Sequence, residues 1–183
     1  LAPFQIEAAP VNWARFLPFV EAGGYGEAHW WSAEGWRWRT ASGRDGPAAL
    51  RRSDGGWQQR RLGTWAPLDP EAPALYLSAW EAEAWCRWAG RRLPSEAEWE
   101  CAACSAPGFC WGEAWEWTAS VFEPFAGFAP HPYRDYSQPW FGSRRVLRGA
   151  SFATAARLVH PKYRNYFPPH RGDVPAGFRS CAV

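Results

Sequence analysis

The 183-residue sequence contains no Met, and Lys162 is the one Lys among twenty basic residues. It begins with Leu rather than an initiator, so the expectation is a piece of a longer protein. No stretch approaches the run of ~18 apolar residues that a membrane helix needs, and the N-terminus lacks the basic-then-apolar order of a signal peptide. A membrane partner is therefore not expected. Excess charge is scarce as well: the formal net charge is +2, acids recur among the Arg residues, and nothing drives binding to a phosphate backbone. That argues against nucleic acid. The five Cys are odd in number, and Cys101, Cys104 and Cys110 crowd together without the dispersed spacing of a secreted disulfide framework. A reducing cytoplasm fits that usage.

Rings and turns are abundant instead. Fifteen Trp, seventeen Gly and seventeen Pro point to one loop-rich α+β domain over residues 1–183, held by aromatic packing. Three helices are expected. The first runs from Pro10 to Glu21, with Trp13, Phe16, Leu17 and Val20 at helical spacing, an internal Pro18 and Gly23-Gly24 as a stop. Ser78 and Glu81 form the capping box of the second, whose Trp80, Ala84 and Trp88 share a face before Gly90 ends it. Ser95 and Glu98 repeat the device for a third, from Glu96 to about Cys104. Residues 30–70 offer only short β-like runs between Gly and Pro breaks, and the chain beyond 105 is punctuated by Pro, Gly and aromatics.

Several residues are candidates for chemistry. Cys101 and Cys104, with Cys110, are spaced so that they offer three thiolates to zinc, against the plainer reading that small side chains at i and i+3 of a helix pack. Four His (29, 131, 160 and 170) are scattered, with no i, i+4 pair to share a metal on one helical face. Glu113 and Glu116 sit among Trp111, Trp115 and Trp117, where a carboxylate is expected to accept from buried indole or backbone N–H groups rather than to run acid–base chemistry. Tyr133 and Tyr136 lie three apart in "HPYRDYSQPWFG", a loop bounded by Pro and Gly where no regular element needs either ring. A phenol there is a candidate proton or hydrogen-bond donor. Arg171-Gly172-Asp173 invites an adhesion reading that the Cys usage opposes.

Taken in order, "RRLPSEAEWECAA", "WEWTAS", "RVLRGASF" and "AGFRSC" resemble the formylglycine-generating-enzyme-like (sulfatase-modifying factor) domain, across nearly the whole chain. The resemblance implies a C-type-lectin-like FGE-sulfatase fold with little regular secondary structure. In formylglycine-generating oxidases two Cys follow the third motif and bind copper; Thr154 and Val159 stand at about those places here, so that chemistry is not expected. "FVEAGGY", "PYRDYS", "PWFG" and "YRNYFPPHRGDVPAGFR" are similar to the C-terminal domain of the non-haem iron synthases that join sulfur or selenium to the imidazole of hercynine, in ergothioneine and selenoneine biosynthesis. The resemblance implies Fe(II) held by a separate N-terminal DinB-like domain outside this chain, O₂ as co-substrate, and no metal ligand among these residues. It implies Tyr133 as the proton donor, and Tyr136, Tyr166, Phe167, Arg164 and Arg171 as substrate-pocket residues. Phe167 replaces an acid of the relatives that use γ-glutamylcysteine, and a ring cannot accept hydrogen bonds from that peptide's ammonium group. A selenosugar donor becomes the expectation, with a thiol donor beside it. The rival expectation is a stand-alone lectin-like binding module of the same fold, without catalysis.

Overall fold

The computed structural model describes all residues from Leu1 to Val183. Four α-helices and nine short strands alternate with long loops. No helix is long and apolar enough to cross a membrane.

Helix α1 spans Trp13–Glu21 and starts where Asn12 Oδ1 accepts from the Arg15 N–H at 3.1 Å. It begins three residues later than Pro10, because Val11 is occupied elsewhere: its N–H donates to Phe178 O at 2.8 Å. The buried face is Trp13, Phe16 and Phe19, whereas Leu17 and Val20 are half-buried. The sequence pattern omitted Phe19, whose ring meets Tyr25, Trp31 and Trp88 from other elements.

Helix α2, Ala33–Ser42, lies in the stretch expected to be β-like. The Trp36-Arg-Trp38-Arg alternation imitates a strand's period of two, but the ends decide. Ser32 Oγ accepts from Gly35 N–H at 3.1 Å, and Gly43 takes the left-handed φ of 64° that closes the helix. Strands β1 (Leu50–Ser53), β2 (Gly56–Arg61) and β3 (Thr64–Pro67) follow as an antiparallel meander.

Helices α3 (Ala79–Trp88) and α4 (Glu96–Ser105) both carry the complete capping boxes read from the sequence. In α3 the buried face is Ala79, Glu81, Ala82, Ala84, Trp85 and Cys86, with Trp80 and Trp88 half-buried. Glu81 serves twice: its carboxylate accepts from Ser78 N–H and from the phenol of Tyr25, both at 2.7 Å. Burial raises both the Glu81 carboxyl and the Tyr25 phenol above their ordinary values.

The central sheet has the order β7-β6-β5-β8, from Asn165–Phe167, Arg145–Gly149, Trp115–Val121 and Ala176–Phe178. Strands β5 and β8 are parallel; the other pairs are antiparallel. Strands β4 (Arg91–Arg92) and β9 (Cys181–Ala182) pair separately, and Ile6 bridges to Cys181, so both chain ends meet one place. The core is a cluster of 19 buried residues where α1 and α3 pack on the inner face of β5, β6 and β8.

The four sequence motifs are tied together by ion pairs. Arg92 and Glu98 lie within the first motif, Glu100 and Arg148 join the first to the third, and Glu116 and Arg179 join the second to the fourth. The last pair has no solvent exposure on either side chain, and it is fully satisfied. Arg179 donates to Glu116 at 2.7 Å and to the carbonyls of Glu7, Ala8 and Cys110, while Glu116 also accepts from Trp99 Nε1 at 2.9 Å. Glu116 is thus the structural acceptor its indole neighbours foretold; Glu113 is exposed.

Candidate functional site

Between β5 and β6 the chain makes a long excursion, residues 122–144, whose neck is closed by two backbone hydrogen bonds: Phe122 N–H to Arg144 O and Gly142 N–H to Phe122 O. Pro and Gly prevent regular pairing here, and two 3₁₀ turns result, Arg134–Tyr136 and Gln138–Trp140. The loop is nonetheless fastened. Trp140 Nε1 donates to Asp135 O at 2.9 Å, and Tyr133 N–H donates to His131 Nδ1 at 3.1 Å.

Strand β7 supplies the second fastening. Tyr166 lies flat on Phe122, ring centroids 3.9 Å apart and planes 15° from parallel, and its phenol donates to the carbonyl of Tyr136. Burial pushes the Tyr166 phenol up, and Tyr136 and Tyr163 beside it add to the effect. Arg164, two residues earlier, sits over Phe122 and Phe125 and is gripped by both oxygens of Glu96, at 2.7 and 2.9 Å. Its third contact is the Glu123 carbonyl. This guanidinium already has a carboxylate partner within the chain, so its geometry is that of a clamp on the loop's neck.

The result is a rigid base with two exposed phenols above it. Tyr133 and Tyr136 are 65% and 69% exposed, against a half-buried Tyr166. They are not alone: of twelve exposed large hydrophobic residues, nine fall between Val121 and Tyr163, and the others are Leu1, Leu62 and Val183. This interval of the chain therefore carries most of the large apolar side chains that water reaches.

Phe167 and Arg171 belong to the other side of β7. Successive strand residues point to opposite faces, so Tyr166 turns to the loop while Phe167 packs against the core cluster. Arg171 lies over the Phe167 ring at 5.0 Å and is paired to Asp173, with Nη2 2.9 Å from Oδ2. The Arg-Gly-Asp string is therefore a self-contained ion pair. The structure brings Tyr133, Tyr136, Tyr166 and Arg164 together, and places Phe167 and Arg171 apart from them.

No three His, Cys, Asp or Glu side chains converge anywhere in the chain. His131 and His160 are each spent on a local turn, accepting the N–H two residues on, His29 lies tilted against Trp30, and His170 stands by Trp80. Cys101 and Cys104 share the exposed side of α4, and Cys110 does not join them in a group. These residues do not fit an iron centre. The sequence did not reveal the partners of the loop, Phe122 and Glu96; an aromatic ending β5 and an acid at a helix start carry no local signal of that role.

A family model described as the sulfatase-modifying factor enzyme 1-like domain matches residues 1–113 and 109–182. Over 221 aligned positions the chain is 34% identical to the hercynine oxygenase of Mycobacterium tuberculosis, covering 96% of this chain and 52% of that protein. It is 26% identical to the formylglycine-generating enzyme of Streptomyces coelicolor, covering 91% and 71%. A shorter match, 42% over 57 residues, links 30% of the chain to 7% of ergothioneine biosynthesis protein 1 of Schizosaccharomyces pombe. The chain spans about half the length of the hercynine oxygenase. With both family matches running through the motifs that the buried ion pairs join, the chain belongs to the sulfatase-modifying factor enzyme 1-like (FGE-sulfatase) family.

Proposed function

We propose that this chain is the substrate-pocket domain of an iron- and O₂-dependent synthase that forms a C–Se or C–S bond to the imidazole of hercynine. The observation that carries the reading is the fastened loop 122–144, which presents Tyr133 and Tyr136 on an apolar face, in a chain similar along 96% of its length to a protein named hercynine oxygenase. Because this chain's own donors do not converge, the iron belongs to a DinB-like partner domain, and the apolar face of residues 121–163 is where that domain closes. The chain's own contribution is to hold hercynine, exclude water and supply a proton from Tyr133 Oη. Tyr166 and Arg164 fix the base of the loop that carries the Tyr133 phenol.

At position 167 the chain offers no acceptor to the ammonium group of γ-glutamylcysteine, which argues against that donor. The ring itself packs against the core beneath Arg171, so the choice of a selenosugar rests on the likeness of this segment to the selenoneine synthases and not on a contact of the ring. The test is to give the intact iron-loaded protein hercynine with a selenosugar, γ-glutamylcysteine or cysteine under O₂ and to identify products by mass. A selenium adduct of the imidazole is expected; absence of any hercynine product with all three donors would leave the lectin-like binding module in its place. In the same assay Tyr133→Phe should bind hercynine with unchanged affinity yet lose product or divert it to another species. Wild-type turnover to the same product would remove the proton-donor role.

A further inference from the structure

A cavity of about 590 Å³ lies between the β-meander and the loop 168–175, within the size range of small-molecule sites. It adjoins Phe167 through Arg171 but does not include the Tyr133 loop. Three guanidinium groups line it, Arg44 from the turn after α2, Arg60 from β2 and Arg171 from the loop, beside the imidazole of His170 and with Asp173 the one acid.

The balance of charge within the cavity separates these groups. Asp173 holds Arg171 bidentately, and the guanidinium in turn keeps the Asp173 carboxyl below its ordinary range, so this pair presents little net charge. Arg60 has no ion-pair partner, and Arg44 has none within salt-bridge distance, its charge being felt only by the buried Glu81 carboxyl and Tyr25 phenol behind it. Arg44 lies over the Trp38 ring at 5.2 Å, which fixes its direction, and its Nη1 is buried without a hydrogen-bond acceptor. A buried donor left unmatched is uncommon and costs stability unless something fills the vacancy. Of the seven Arg between Gly35 and Ala66 only Arg44 and Arg60 line the cavity. Two guanidinium groups without an ion pair on one concave wall concentrate positive potential there.

The walls are also rigid. Tyr76, which lines the cavity, holds a left-handed backbone at φ 64°, a conformation that costs a non-glycine residue on the order of 1 kcal/mol or more. Gly172 approaches it so closely that a Cβ would lie 3.2 Å from Tyr76 O. Ala79 N–H to Pro169 O, at 2.9 Å, anchors the loop to the start of α3. Ala48, Ala49 and Leu62 give the remaining lining a short apolar side.

We propose that this cavity binds a small molecule bearing a phosphate or carboxylate, whose oxyanion is taken by Arg44 and Arg60 while its body rests against Tyr76 and Leu62. Guanidinium pairs suit both oxyanions because their N–H groups diverge in one plane. The proposal does not depend on hercynine being the substrate: Arg171 is shared with the expected substrate pocket, but the oxyanion contacts are Arg44 and Arg60, and the test reads binding alone.

Calorimetric titration of the 183-residue chain with inorganic phosphate, glucose 6-phosphate and succinate, each against sodium chloride at equal ionic strength, tests it. At least one oxyanion is expected to bind beyond the chloride control, and which ones bind distinguishes a phosphate-bearing from a carboxylate-bearing ligand. Arg60→Gln should weaken that binding about tenfold or more. Arg60 is exposed at a strand, so this variant tests binding without disturbing the core. Arg44→Gln should do the same, and amide shifts on titration should centre on Tyr76 and Gly172. Binding no tighter than chloride by all three probes, or unaltered binding in Arg60→Gln, overturns the proposal.

Discussion

The Glu116–Arg179 pair shows how one residue's role depends on a distant one. Glu116 between tryptophans was legible as an acceptor, but the guanidinium it holds lies 63 positions away, and no local pattern reveals such a partner. Replacing Arg179 with Met leaves a buried carboxylate without its counter-charge, a loss of about 3–5 kcal/mol in urea unfolding. Adding Glu116→Gln should recover part of it, which a double-mutant cycle measures. Glu98 is a more exposed case. The Arg92 guanidinium, with Ser95 donors helping against partial burial, lowers its pKa from 4.5 to about 2. A depressed carboxylate stabilises the fold above its unfolded pKa, and that contribution drains away as pH falls from about 4.5 towards 2. Melting temperatures over this window should fall less steeply for Glu98→Gln, which keeps the capping geometry but cannot titrate. The placement of Tyr133 and Tyr136 in an exposed loop was legible from the Pro and Gly around them. Their fastening was not, because Tyr166 reaches the loop from 30 residues further on.

Among the elements, those with chemically explicit ends were legible. Ser78 with Glu81 and Ser95 with Glu98 announce α3 and α4, since a capping box satisfies two orphan donors by residues three apart. Helix α2 was hidden because its Trp-Arg alternation mimics a strand, while Ser32 and Gly43 at its ends decide otherwise. On α1 and α3 the buried faces were off by a residue or more, Phe19 and Trp85 being drawn inward by the rings that surround them. Strand β8 has a requirement of its own: a Cβ on Gly177 would lie 2.7 Å from Ala74 O, a backbone atom that cannot turn aside. Gly177→Ala should therefore cost at least about 2 kcal/mol in chemical denaturation, beyond the ordinary penalty for overpacking, and broaden amide signals along β8 and residues 74–77.

Across the whole molecule, aromatic packing closes a core that long elements would otherwise build, and the long loops are left to form surfaces. Four His in four separate settings give the chain no iron site, so the 183-residue chain incubated anaerobically with Fe(II) and desalted should retain well below one equivalent by elemental analysis. Stoichiometric iron would remove the need for a partner domain. The sequence by itself determined the loop-rich α+β class, two capped helices and the family to which the four motifs belong, because each rests on residues close together or on motif order. Tertiary structure decided which cations are free. Arg164 and Arg171 look alike as free cations in the sequence, yet Glu96 and Asp173 engage them, while Arg44 and Arg60 are left facing a cavity. A charge is available to a ligand only when no neighbour in space has already neutralised it, and neighbours in space are what a sequence read along its length does not show.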